Sequence, residues 1–129
     1  MVSDAHLDTQ WNWDIQTTIK DYVWNTISQN LFLLKQYPEY IFNFEGAVKY
    51  AWMKEYYPAQ YEEMKKFIES GRWHISGASW DATDTLVPSI ESAIRNIMLG
   101  QDYYRKEFGV ESTDIFLPDC FGFGWTLPA

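Results

Sequence analysis

Residues 40–57 read YIFNFEGAVKYAWMKEYY, and the apolar pattern changes within this stretch from that of a strand to that of a helix. The aromatic and β-branched side chains of residues 40–44 favour a strand. The pattern from Gly46 to Tyr57 is helical, and Pro58 suits the first turn of a further helix. A strand that leads straight into a helix is the repeating unit of α/β proteins with parallel sheets.

Strands and helices alternate along the rest of the chain in the same way. Strands are predicted over residues 2–5, 40–44, 72–76 and 114–117, and helices over 14–37, 46–57, 58–70 and 88–108. The chain is therefore predicted to have an α/β fold with a parallel sheet and right-handed crossovers. In such folds ligands bind beyond the carboxyl ends of the strands.

Length and composition limit the classes of protein to consider. With 129 residues, of which 47% are hydrophobic and 22% charged, the chain is predicted to be a single domain over residues 1–129. A formal net charge of −8 argues against a nucleic-acid surface. No apolar run approaches the roughly 20 residues of a membrane span. Because Met1 directly precedes the first strand, we expect a piece of a longer protein and predict no compartment.

The segment DAHLDTQW, residues 4–11, places an imidazole and a carboxylate two residues apart after the first strand. Alternate residues of an extended chain point to the same side, so His6 and Asp8 are expected to converge while Leu7 turns away. One nitrogen ligand and one oxygen ligand suit zinc and related divalent metals. A two-residue spacing of this kind is common by chance, so the metal-site hypothesis depends also on a carboxylate, Asp119, that follows another predicted strand.

Acidic residues also follow the other predicted strands. Glu45 follows the second strand, Asp81 and Asp84 the third, and Asp119 the fourth. One edge of the sheet should therefore collect polar groups from several strands. We expect Glu45 to cap the following helix rather than to support a metal ligand. His74 lies inside the third strand, and we expect it to be a packed, hydrogen-bonded structural histidine.

Several stretches of the chain carry a recognisable family pattern. They are residues 4–11, 44–52 (FEGAVKYAW), 70–73 (SGRW), 79–84 (SWDATD), 88–92 (PSIES) with Arg95, and 117–122 (LPDCFG). In order and spacing they resemble the N-terminal part of the catalytic domain of glycoside hydrolase family 38, the retaining α-mannosidases. The resemblance covers nearly the whole chain.

The resemblance implies a zinc-dependent hydrolase of terminal α-linked mannose in glycans. It makes His6, Asp8 and Asp119 ligands of one zinc ion and Asp119 also the catalytic nucleophile. Trp11 would stack on the sugar and Phe121 would form a second apolar wall. The fourth ligand, a histidine, and the acid/base carboxylate would lie beyond Ala129. The sheet would be the first four β/α units of a seven-stranded β/α barrel.

Some alternatives stay open at this point. Trp11 and Phe121 could be core residues, and Asp84 could be a surface-loop carboxylate or face the substrate. A metal-dependent carbohydrate deacetylase is a second candidate, although it would need further histidines soon after His6. A non-catalytic carbohydrate-binding fragment is a third. We also expect the isolated chain to be inactive, and to associate with itself through an open sheet edge.

The remaining aromatic residues and the single cysteine are interpreted as packing residues. Cys120 is expected to be a small buried side chain. The aromatic side chains assigned to packing are Tyr22, Trp24, Tyr50, Trp52, Tyr103 and Tyr104.

Overall fold

The computed structural model describes residues 3–124 and consists of a small parallel sheet with helices packed against it. The strands are β1 (Ser3–Ala5), β2 (Phe42–Glu45) and β3 (Trp73–Ser76). The helices are α1 (Ile15–Thr17), a π-helical turn (Thr18–Val23), α2 (Trp24–Gln36), α3 (Ala47–Tyr56), α4 (Pro58–Glu69) and α5 (Ile90–Phe108). Of the predicted first strand, Val2 lies outside the described residues.

The described strands lie in the order β1-β2-β3, and both pairs are parallel. Ala5 at the end of β1 is paired with Phe44, and Glu45 at the end of β2 is paired with Ser76 at the end of β3, so the three strands end at nearly the same level. The segments that follow them therefore emerge along one edge. This confirms the predicted α/β class for these units, whereas the seven-stranded barrel stays a prediction.

The predicted fourth strand over residues 114–117 is wrong, since this segment has no strand structure in residues 3–124. It is attached to the end of β3 mainly through Asp114. The Asp114 carboxylate accepts hydrogen bonds from Gly77 N at 3.0 Å and Ser76 Oγ at 2.8 Å, and Asp114 O accepts one from Ala78 N at 3.2 Å. These contacts of one residue, Asp114, stand where a β-strand would make a series of backbone hydrogen bonds with β3.

The predicted first helix contains an irregularity that anchors the loop after β1. The helical run continues from Ile15 to Gln36 through the π-helical turn, whose first residue, Thr18, is fully buried. Thr18 Oγ1 donates to Thr9 O at 2.8 Å and accepts from Trp13 Nε1 at 2.8 Å. The loop that carries His6 and Asp8 is thereby fixed to the helix behind it.

Aromatic side chains form the centre of the core. Phe42 packs edge-on against Trp73 with ring centroids 4.8 Å apart, and Tyr50 OH links Trp73 Nε1 to Phe44 O by hydrogen bonds of 3.0 and 2.8 Å. Tyr104 is also fully buried, which confirms its assignment and that of Tyr50 to packing.

Three packing assignments need correction or adjustment. Tyr22 and Trp24 are 39% and 37% exposed, so these two were wrongly assigned to the core. They contact Trp13 and Tyr57 at the surface instead. Cys120 is only partly buried, and its Sγ contacts Thr83 O at 3.3 Å.

Two surface features concern partners. Among residues 3–124, the outer edge of β3 is covered by no further strand, and Met98 and Leu99 on α5 are 64% and 57% exposed. These features are compatible with the expected self-association, which stays a prediction. Within the same residues, none of the helices has both the length and the apolar character that a bilayer crossing requires.

Candidate metal and active site

His6, Asp8 and Asp119 converge at the edge where the strands end. One donor atom from each lies within 4.8 Å of the other two. His6 Nε2 is 3.6 Å from Asp8 Oδ1 and 3.8 Å from Asp119 Oδ2. The side chains are 27%, 38% and 57% exposed respectively, so the cluster is open to solvent on one side.

The local chain direction explains this convergence. Leu7 is 8% exposed and joins the core, so His6 and Asp8 on either side of it point the other way, as alternation predicts. Asp119 arrives from the distant segment after Pro118, which lies on a turn. The two negative carboxylates of Asp8 and Asp119 repel each other at this separation, and a cation between them would offset that repulsion.

The His6 imidazole is held from behind by Glu45. Its Nδ1 lies 3.2 Å from Glu45 Oε1, and the Glu45 side chain is only 1% exposed. The expectation that Glu45 caps α3 is wrong: Gly46 is the capping residue, and no side chain caps this helix. Glu45 contacts His6 instead, as the other alternative for this residue requires.

The donor set fits a zinc ion. One imidazole nitrogen and two carboxylate oxygens match the three protein ligands of a typical catalytic zinc, which keeps its fourth position open. A metal-bound histidine usually donates a hydrogen bond from its other ring N–H to a carboxylate or a backbone oxygen, and the contact of His6 Nδ1 with Glu45 Oε1 fits this pattern.

A cavity of about 330 Å³ opens beside the cluster, and it falls within the size range of small-molecule sites. His6, Asp8 and Asp119 contribute its polar side, and Phe121 contributes an apolar side chain. Phe121 is 90% exposed, which excludes the core alternative for this residue.

Asp84 has a local structural role and also lines the cavity. Its Oδ1 accepts hydrogen bonds from the backbone of Leu86 at 2.7 Å and Val87 at 3.3 Å. These two hydrogen bonds shape the loop after β3. A contact with substrate stays a prediction for this residue.

Trp11 does not line this cavity in the described residues. It is 68% exposed, so it is not a core residue either. It stands on the loop between the cluster and the π-helical turn, with Thr9 anchored on one side and Trp13 on the other. Its stacking role stays a prediction.

His74 was expected to be packed, and that expectation is wrong. Its side chain is 55% exposed, because Trp73 and Ile75 take the two inward positions of β3. His74 Nε2 lies 3.6 Å from Asp114 Oδ1. Partial burial opposes ionisation of Asp114, but hydrogen bonds from Gly77, Ser76 and Ser112 with the nearby His74 outweigh it and lower the pKa of this carboxyl.

Lys49 was missed by the sequence reasoning. Its side chain is fully buried, and its Nζ lies 3.5 Å from Glu45 Oε1 and 4.0 Å from Asp81 Oδ1. The signal was present: Glu45 and Lys49 are four residues apart, and the lysine interrupts an apolar helical run.

Comparisons with known proteins identify the family of this chain. Residues 1–129 match the family described as glycosyl hydrolases family 38 N-terminal domain. The chain is 36% identical over 127 residues to "Alpha-mannosidase G" of Dictyostelium discoideum, and 33% identical over 126 residues to "Alpha-mannosidase 2C1" of Homo sapiens. These alignments cover 98% and 96% of this chain but 12% of the length of each relative.

Solved structures show the same fold at lower identity. An alpha-mannosidase from Enterococcus faecalis V583 superposes with a TM-score of 0.74 at 23% identity, covering 85% of this chain and 12% of that chain. A 4-alpha-glucanotransferase from Thermococcus litoralis superposes with a TM-score of 0.66 at 18% identity, covering 90% and 18%. The sequence matches over the whole chain decide the family: this chain belongs to the family 38 glycosyl hydrolases and corresponds to their N-terminal domain.

Proposed function

We propose that the chain carries the metal-binding and nucleophilic part of a retaining α-mannosidase that removes terminal α-linked mannose. The observation that supports this most is the convergence of His6, Asp8 and Asp119 beside a cavity, in a chain of this family. The substrate class follows the names of the relatives, which are alpha-mannosidases.

In this proposal His6, Asp8 and Asp119 hold one zinc ion. When bound, the ion supplies a template for sugar hydroxyls and positive charge near the reacting centre. His6 contributes Nε2, since its Nδ1 is engaged by Glu45. Asp8, which lies on the same side of the chain as His6, contributes a carboxylate oxygen.

Asp119 is the proposed nucleophile. One of its oxygens attacks the anomeric carbon while the bond to the leaving oxygen breaks, which gives a glycosyl ester on Asp119. Water then cleaves the ester and regenerates the carboxylate with retention of configuration. The leaving oxygen takes its proton from an acid that the family resemblance puts beyond Ala129. We therefore expect the 129-residue chain alone to be inactive towards nitrophenyl α-mannoside.

The deacetylase alternative is less well supported. Such an enzyme would need further histidines near the first pair, and the chain contains two in all, His6 and His74. His74 contacts Asp114 rather than the His6 cluster.

Covalent labelling of the full-length protein tests the assignment. A fluorinated mannosyl inactivator should label Asp119 in the unaltered protein, slowly in His6→Ala, and not at all in Asp119→Asn. Asp119→Asn is not labelled because the nucleophile is lost. His6→Ala is labelled slowly because zinc binding is weakened, so excess zinc should restore part of its labelling rate. A peptide labelled at Asp84 or Asp81 instead would move the covalent step to the loop after β3.

A further inference from the structure

A buried ion pair lies behind His6, among residues that do not line the cavity. Glu45 and Lys49 are 1% and 0% exposed, with 3.5 Å between Lys49 Nζ and Glu45 Oε1. Removing two charges from water usually costs as much as their attraction returns, so such a pair is a poor source of stability. Its contact with a candidate metal ligand indicates another role.

We propose that Glu45 and Lys49 are positioning residues that present His6 Nε2 to the candidate metal site. The part of this inference that concerns metal binding rests on the proposed function. The part that concerns the tautomer of the His6 imidazole does not. A carboxylate accepts hydrogen bonds and donates none, so the His6 nitrogen that faces Glu45 Oε1 carries the proton. The proton is then on Nδ1, and the Nε2 lone pair faces Asp8 and Asp119.

Lys49 fixes the position of the Glu45 carboxylate. Its ammonium lies between Glu45 and Asp81, 3.5 and 4.0 Å from their oxygens. Asp81 is in turn fixed, because its Oδ1 accepts from Thr9 Oγ1 at 2.6 Å and from Ala82 N at 2.8 Å. One buried lysine thus joins the end of β2 to the segment after β3, and Asp81 extends the connection to Thr9 in the segment after β1.

Gly46 leaves the space that this lysine needs. A Cβ at position 46 would lie 2.9 Å from Lys49 Nζ, and Gly46 has φ +85°, a conformation that other residues rarely adopt. The backbone at the end of β2 is therefore shaped to let Lys49 fold back on Glu45.

The state of His6 can be read directly in zinc-free protein by ¹H–¹⁵N correlation spectra of the imidazoles at about pH 8, where histidines are mainly neutral. The chain has two histidines, so a His74→Gln variant assigns both signals. We expect the Nδ1–H form for His6. Observation of the Nε2–H form would overturn the proposal without any variant.

Paired variants separate positioning from packing. Glu45→Met with Lys49→Met removes both charges and the acceptor while keeping similar volumes, so neither partner is left buried alone. We expect His6 to shift towards the Nε2–H form and zinc affinity, measured by calorimetry, to fall about 10- to 100-fold. Glu45→Gln with Lys49→Met keeps an acceptor oxygen and should restore the Nδ1–H form and much of the affinity.

The matched control is the surface pair Lys35 and Glu63, whose atoms lie 2.6 Å apart. Lys35→Met with Glu63→Gln should change neither the His6 signal nor zinc affinity. Unaltered zinc affinity in the folded Glu45/Lys49 double-methionine variant would overturn the proposal. If the unaltered chain shows the Nδ1–H form but binds no zinc at His6, the positioning stands and the proposed metal function fails.

Discussion

The core around β2 and the candidate site at the carboxyl edge of the sheet differ in how their geometry is fixed. Behind the sheet, Phe42, Phe44, Tyr50 and Trp73 are at most 1% exposed and lock one another by ring packing and the Tyr50 hydrogen bonds. At the carboxyl edge, the side chains of the candidate ligands are 27–57% exposed and depend on polar anchors. The core is thus held by ring packing and buried hydrogen bonds, whereas the site is held by a few polar contacts.

The largest effect should come from the exposed region and should leave the core intact. Asp119→Asn in the full-length protein should lower α-mannosidase turnover by roughly a thousand-fold or more, because an amide forms no stable glycosyl ester. The thermal unfolding midpoint should change little, since the Asp119 side chain is 57% exposed. Release of nitrophenol from an α-mannoside measures turnover, and retention of ordinary turnover would contradict the nucleophile assignment.

A pair of tryptophan substitutions tests the core against the edge. Trp73→Ala should destabilise the chain by about 3–5 kcal/mol, because it leaves a large cavity and removes the partner of Tyr50. Trp11→Ala, at a residue that is 68% exposed, should stay within about 0.5 kcal/mol. Urea unfolding measures both, and a similar loss in the two variants would show that the loop after β1 belongs to the core.

A smaller effect should appear at the attachment of residues 110–117 to β3. The pKa of Asp114 is lowered on folding, so the unfolded chain binds its proton more readily and this residue stabilises the fold at higher pH. The difference in unfolding free energy between the unaltered chain and Asp114→Asn should be constant above about pH 5 and shrink below about pH 4. A difference that does not vary with pH would show that the carboxylate is unimportant.

The sequence predicted the parts of the fold that depend on local patterns. Alternation around Leu7 correctly put His6 and Asp8 on one side, and the strand-to-helix change at Gly46 correctly gave β2 and α3. Residues 114–117 have the sequence pattern of a strand. Their arrangement depends on a contact between residues distant in sequence, because the Asp114 carboxylate accepts hydrogen bonds at the end of β3.

The wrong predictions for individual polar residues also arise from contacts between residues distant in sequence. Glu45 could cap α3 or face His6, and only the fold brings residues 6 and 45 within hydrogen-bonding distance. His74 alternates with two larger apolar neighbours, and a stricter use of that alternation would have predicted its exposure. The four-residue spacing between Glu45 and Lys49 predicts an ion pair on one face of a helix. The burial of both side chains, which sets this pair apart from an ordinary surface pair, follows only from the fold.

Crystals of the chain grown with a zinc salt, measured on both sides of the zinc absorption edge, test the candidate site most directly. We predict one anomalous peak bound by His6 Nε2 and by oxygens of Asp8 and Asp119, at ordinary ligand distances of about 2.0–2.2 Å. A peak confined to another position such as His74 and Asp114, with none at His6, would contradict the proposed metal site.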